Sequence, residues 1–146
     1  MKQEIKQAFN KQGYSFLLPI QEKAIPQILA HKNLFIQAAT GSGKTLAYLL
    51  PALEIAEATS NDTQVLIITP TRELALQVSE VAKNIANDSK HHIVTVIGGL
   101  DIHKQENALR HRPTIIIGTP GRLMDLYSQK KIDLSHLLLC VVDEVD

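Results

Sequence analysis

A glycine-rich octet, Ala38-Ala39-Thr40-Gly41-Ser42-Gly43-Lys44-Thr45, sits directly between an apolar run at residues 34–38 and an apolar helical pattern made by Leu46, Leu49, Leu50 and Leu53. Few folds can host such a segment. Glycines let the backbone curl so that successive N–H groups point inward, and a helix start adds partial positive charge, which together form a cradle for phosphate oxygens. Ala39, Thr40, Gly41, Ser42, Gly43, Lys44 and Thr45 are therefore the candidate nucleotide-binding residues. Lys44 would reach the β- and γ-phosphates, and the Thr45 hydroxyl would ligate Mg2+. The general pattern has glycine where this chain has Ala38. A glycine-rich strand-to-helix turn with no ligand is the plainer alternative.

A phosphate loop in this context implies an α/β sheet. The runs at 34–38, 65–69, 93–97, 114–117 and 137–142 are apolar without polar alternation, as suits parallel strands covered on both faces. Between the second and third runs, Leu74, Val78, Val81 and Ile85 fall at helical spacing within residues 73–86, which predicts a crossover helix. Ile102 and Leu109 mark a shorter helix, and residues 123–127 another. Ahead of the sheet, Ile5 with Phe9, then Ile20, Ala24 and Ile28, predict two helices joined by Gly13-Tyr14. The repeated β-α order predicts a mostly parallel, doubly wound α/β sheet in one domain of 146 residues.

The last run delivers Asp143-Glu144-Val145-Asp146 at its carboxyl end, the edge where open α/β sheets bind ligands. Asp143 would hold Mg2+, directly or through water, and Glu144 would orient and polarise an attacking water. Lys44, Asp143 and Glu144 are the candidate catalytic residues, and Thr45 and Asp143 the candidate metal ligands. Alone, such a cluster could be a set of solvated turn carboxylates.

Charge narrows the partners. Fifteen Lys plus Arg balance fifteen Asp plus Glu, so a broad basic surface for any polyanion is not supported, and nucleic-acid contacts would have to be local. The single cysteine, Cys140, excludes an intramolecular disulfide framework and reads as a small buried hydrophobe. Six histidines lack partners at metal-ligand spacing, so no zinc site is expected. No aromatic run offers a base-stacking platform. No apolar run reaches the roughly 18 residues of a membrane helix, and the start lacks a signal-peptide core, so a cytoplasmic protein with no membrane partner is expected.

With these motifs placed, further segments fall into line, and nearly the whole chain resembles the first RecA-like domain of a DEAD-box RNA helicase. Besides the octet, the family's landmarks stand in order as Pro70-Thr71-Arg72-Glu73-Leu74-Ala75, Gly98-Gly99, Thr119-Pro120-Gly121-Arg122 and Asp143-Glu144-Val145-Asp146. The last reads Asp-Glu-Val-Asp in place of Asp-Glu-Ala-Asp, a change at a side chain not expected to touch metal. The resemblance implies a RecA-like P-loop fold over residues 1–146, with 1–30 as a helical lead-in, and an ATP- and Mg2+-dependent helicase activity. Residues 13–21 are similar to the family's Q motif, which makes Gln21 the adenine reader. A primary amide has the acceptor and donors that adenine's N7 and amino group require. Leu17 and Leu18 depart from the usual proline and threonine or serine, and Gln21 keeps a second reading as a helix-start residue.

In that family the three middle motifs line a groove for RNA held through its sugar-phosphate backbone. Pro70, Thr71, Arg72, Gly98, Gly99, Thr119, Pro120, Gly121 and Arg122 are the implied RNA-binding residues. Arginines can pair with phosphate, threonines offer hydroxyls, and glycines allow backbone N–H groups to come close. Each loop alone could equally be turn or helix-cap chemistry.

The sequence stops at Asp146, ahead of the family's Ser-Ala-Thr motif and second RecA-like domain. The strand leading to Ser-Ala-Thr lies centrally in this fold, between the phosphate-loop strand and the acidic-motif strand, so a sheet lacking that strand, with two unpaired inner edges, is expected, and the fragment is expected to fold poorly. Arginine fingers belong to the second domain and are worth about 10³ to 10⁵ in rate, so negligible ATPase is expected of this chain alone. Two other classes remain: a non-catalytic nucleotide- or RNA-binding module, and a different P-loop enzyme such as a DNA helicase or a small-molecule kinase.

Overall fold

A computed structural model describes residues 1–87 and 89–144. Val145 and Asp146 of the acidic motif lie outside them. Helix α1 (Gln3–Lys11) buries Ile5, Ala8 and Phe9 on one face, and Phe9 stacks on Tyr14 with ring centroids 5.0 Å apart. Helix α2 (Pro19–Leu29) starts with proline at its first position, where a missing N–H costs nothing, and buries Gln21, Ala24, Ile25 and Ile28. Helix α3 (Lys44–Ile55) leaves the phosphate loop and is buried from Leu46 to Leu53, as its aliphatic sequence demands.

Beyond α3 the chain alternates strictly: β1 (Val65–Ile68), α4 (Arg72–Ala86), β2 (Ile93–Val96), α5 (Ile102–Arg110), β3 (Ile115–Gly118), α6 (Pro120–Ser128) and β4 (Leu139–Val142). The four strands form one parallel sheet in the order β2-β3-β1-β4. Because strand side chains alternate between faces, Val65, Ile67, Ile115 and Ile117 pack with α1 to α4 on one side. Leu66, Val94, Val96 and Ile116 pack with Leu109 of α5 and Leu123 and Leu126 of α6 on the other. The sheet is therefore doubly wound, as its sequence pattern predicts.

One strand expectation fails. Residues 34–38 are not in the sheet, which has four strands where the sequence suggests five. A strand exists only if a neighbour takes up its backbone groups, and among the described residues none pairs with 34–38 or with the outer edge of β4. Both edges stay open, as the resemblance led one to expect of a sheet without its central strand. Phe35 is 79% exposed, and only Ile36 of that run packs on the core.

Cys140 is a second correction, since it is exposed and not buried. It lies on the α5/α6 side of β4, where no helix covers the strand; Val142, two residues on, is exposed too. No helix among the described residues is long and apolar enough to cross a membrane.

Candidate functional site

All four strands point the same way, so the turns after them gather on one edge. The phosphate loop enters there through two left-handed glycines, Gly41 at φ +81° and Gly43 at φ +91°. Gly43 is required twice over, because a Cβ there would also lie 2.7 Å from Gln21 Nε2 and 2.8 Å from Leu18 Cδ1. Gly43 caps α3, whose first-turn N–H groups lack intrahelical partners, as at any helix start. Ser42 Oγ is buried with no hydrogen-bond partner among the described residues. An orphaned buried hydroxyl in this loop suits an anionic oxygen, while the Ser42 N–H is taken up by the Ala39 carbonyl at 3.1 Å. Ala39, Thr40 and Gly41 are exposed around it.

The acidic end of β4 meets this loop. Lys44 Nζ lies 3.6 Å from Glu144 Oε1, with the lysine side chain 27% and the glutamate 49% exposed. Asp143 Oδ2 accepts a 2.7 Å hydrogen bond from the Tyr48 hydroxyl, and its Oδ1 accepts the Glu144 N–H at 2.9 Å. Asp143 is fixed further by its own N–H, which donates to Ile68 of β1 at 2.9 Å. Glu144 holds a left-handed backbone, φ +54°, a conformation that costs a non-glycine residue energy and turns the chain sharply off the strand. Burial, reinforced by the bond to Asp143 and the nearby carboxylate charge, raises the Tyr48 phenol far above its ordinary range. Its proton therefore stays on and is donated. Lys44, Thr45, Asp143 and Glu144, widely separated in sequence, are thus brought around one loop. Their donor set, a hydroxyl and a carboxylate beside a phosphate cradle, fits Mg2+, which takes few protein ligands and keeps phosphates and waters for the rest.

Gln21 is buried, and both ends of its amide are in use. Oε1 accepts the Leu18 N–H at 2.8 Å, closing the start of α2, and Nε2 donates to the Gly43 carbonyl at 3.2 Å. The helix-start reading thus describes its contacts, with the addition that the same side chain braces the phosphate loop. One N–H and one lone pair of the amide are left over.

Three further turns carry the basic groups. After β1, the Thr71 hydroxyl caps α4 by accepting the Leu74 N–H at 3.2 Å, while Pro70, Thr71 and Arg72 are exposed. Arg72 Nη1 donates to the Gly98 carbonyl at 3.4 Å and lies over Gly99, where any Cβ would collide with it. After β3, Thr119 precedes Pro120 at the start of α6 and its side chain makes no cap bond. Gly121 has open space around it. Arg122 Nη1 donates to the Leu100 carbonyl at 3.4 Å and to Gln105 Oε1 at 3.1 Å. Gln105 is itself buried and bonded to the Ile97 carbonyl at 2.8 Å. The turn at 97–100 is held by an arginine from each side, and each guanidinium, with five N–H donors, has most of them free.

Sequence reasoning passed over Tyr48 and Gln105. Each was detectable as a polar group at a buried helical position: Tyr48 in an otherwise aliphatic run, Gln105 four residues before Leu109 on the inward side of α5.

Residues 18–146 match the DEAD/DEAH box helicase family. The chain is 42% identical over all 146 residues to the ATP-dependent RNA helicase CshA of Listeria monocytogenes, covering 28% of that protein. It is 40% identical to the DEAD-box ATP-dependent RNA helicase CshA of Bacillus subtilis, again along its whole length, covering 30% of that relative. Among solved structures, a hypothetical ATP-dependent RNA helicase from Sulfolobus tokodaii superposes with a TM-score of 0.91 at 38% identity, over 100% of this chain and 42% of that one. The chain thus spans less than a third of the curated relatives named, and it belongs to the DEAD/DEAH box helicase family.

Proposed function

We propose that residues 1–146 act as the first RecA-like domain of an ATP-dependent RNA helicase, with 1–30 as its helical lead-in, the activity that the relatives' names carry. One observation supports this above the others: the phosphate-loop lysine and the acidic end of β4 meet, with Lys44 3.6 Å from Glu144. At that distance the two side chains carry charges that offset each other. An arriving triphosphate would take Lys44 on its β- and γ-oxygens and release Glu144 to orient and polarise the attacking water. Backbone N–H groups of Ala39, Thr40, Gly41, Gly43, Lys44 and Thr45 and the Ser42 hydroxyl would hold the remaining phosphate oxygens, the Ser42 N–H being spent on the Ala39 carbonyl. Thr45 and Asp143 would hold Mg2+, which when bound supplies positive charge to the phosphate oxygens as the reaction develops. Gln21 would use the unengaged N–H and lone pair of its amide to read adenine.

RNA would lie along Pro70, Thr71, Arg72, Gly98, Gly99, Thr119, Pro120, Gly121 and Arg122. These offer phosphate and sugar contacts, which position a strand without reading its sequence, so single-stranded or duplex RNA of any sequence is a candidate. Turnover would need a second RecA-like domain to supply arginines to the transferring phosphate. Such work belongs in the cytoplasm.

ATP binding with Mg2+ tests the reading. Lys44→Ala removes a charge-assisted contact worth about 1.5–3 kcal/mol, so affinity should fall about 10- to 100-fold. Equal affinity in the variant, or equal binding of GTP and ATP, would count against an adenine-reading helicase. RNA-stimulated hydrolysis should be negligible for the chain alone and appear on adding a second domain; a full rate without it would sink the account of the missing arginines.

A further inference from the structure

Within the buried stretch of α3, Leu46 to Leu53, Tyr48 is the one residue that carries a polar group on its side chain, and it is buried at 6% exposure. A buried hydroxyl is costly unless partnered, and this one donates to Asp143 Oδ2 at 2.7 Å. Tyr48 sits one turn after Thr45 on the same helix, so its hydroxyl joins the helix that carries one candidate metal ligand to the carboxylate that is the other. The Glu144 N–H holds the other carboxylate oxygen, Oδ1, and the Asp143 backbone is fixed by its own N–H, which donates to the Ile68 carbonyl.

We propose that Tyr48 is a positioning residue for Mg2+: its hydroxyl, one turn along α3 from Thr45, fixes the Asp143 carboxylate before nucleotide arrives. The inference rests on the nucleotide reading above and deepens it. Groups that orient metal ligands without touching the metal are worth about 10–100-fold in metal affinity when removed.

Tyr48→Phe deletes one oxygen and keeps the ring. In the full chain, the Mg2+ concentration giving half-maximal ATP binding should rise about tenfold or more, while ATP binding without Mg2+ stays unchanged. A purely structural tyrosine would instead lower both bindings together, along with the thermal midpoint, and that pattern overturns the proposal. In an Asp143→Asn background, Tyr48→Phe should add nothing; an undiminished further effect also counts against it. Should Tyr48→Phe fail to fold, the wild-type chain decides: Tyr48 ring signals in an NMR titration should move when Mg2+ is added to the ATP-bound protein, and signals that stay put overturn the role. A wild type that shows no Mg2+-dependent ATP binding overturns the nucleotide reading and this inference together. Intact wild-type binding with an unchanged Mg2+ requirement in the variant removes only Tyr48's part.

Discussion

Strands β3 and β4 are written in nearly the same alphabet, Ile-Ile-Ile-Gly and Leu-Cys-Val-Val, yet they live in different surroundings. β3 is paired on both edges and buried throughout, whereas β4 is paired only with β1 and alternates between half-buried and exposed. An apolar run states a demand for burial and does not say what will meet it. Around β3, helices on both faces meet it, α5 and α6 against Ile116 and the α1 to α4 layer against Ile115 and Ile117, and the arginine-bearing turns rest on that closed half. On the β4 side, the demand is only half met, and that open half carries Asp143 and Glu144. These two carboxylates therefore stand on the less supported part of the sheet.

The largest expected effect that tests this contrast is Ile117→Ala. Ile117 is fully buried between two strands and a helix layer, so truncation should cost about 2–5 kcal/mol in urea unfolding. A loss under about 1 kcal/mol would mean that the closed half is looser than its packing implies.

A smaller effect concerns the seam that holds the closed half to α3. His91 sits between Ser89, at 2.6 Å from Nδ1, and the Ala56 carbonyl, at 2.7 Å from Nε2. Burial lowers its pKa below the ordinary 6.5. The unfolded chain then takes up the proton first, so stability is complete above 6.5 and is lost as pH falls through 6.5 toward the folded value. Urea midpoints at pH 7.5 and 5.5 should differ by more in wild type than in His91→Gln; equal differences would remove His91 from the account.

The smallest effect belongs to the open half. Val142 is 52% exposed, so Val142→Thr should change stability by no more than about 0.5 kcal/mol. If it cost as much as Ile117→Ala, the contrast between the two strands would fail.

Much of this architecture is legible in the residues because its signals are local. Leu74, Val78 and Ile85 announce α4 by spacing, and the parallel runs at 65–69, 93–97 and 114–117 announce their strands by unbroken apolarity. Residues 34–38 show the limit: their pattern is equally good, but a strand needs a neighbour, and that is a non-local fact. Cys140 fails for the same reason, since its burial depends on a helix covering β4. At the site, Lys44 and Asp143 are readable from motif chemistry. The double employment of Gln21 and the Tyr48–Asp143 hydrogen bond are not, because they arise where α2 meets the phosphate loop and the end of β4 meets α3 in three dimensions.

Arg72 and Arg122 belong to different helices but grasp carbonyls two residues apart, Gly98 and Leu100, on one short turn. That turn is thereby pinned to both helices. Displacing either guanidinium would slacken one side of the pin and load the other, so α4 and α6 would register the same event rather than two separate ones.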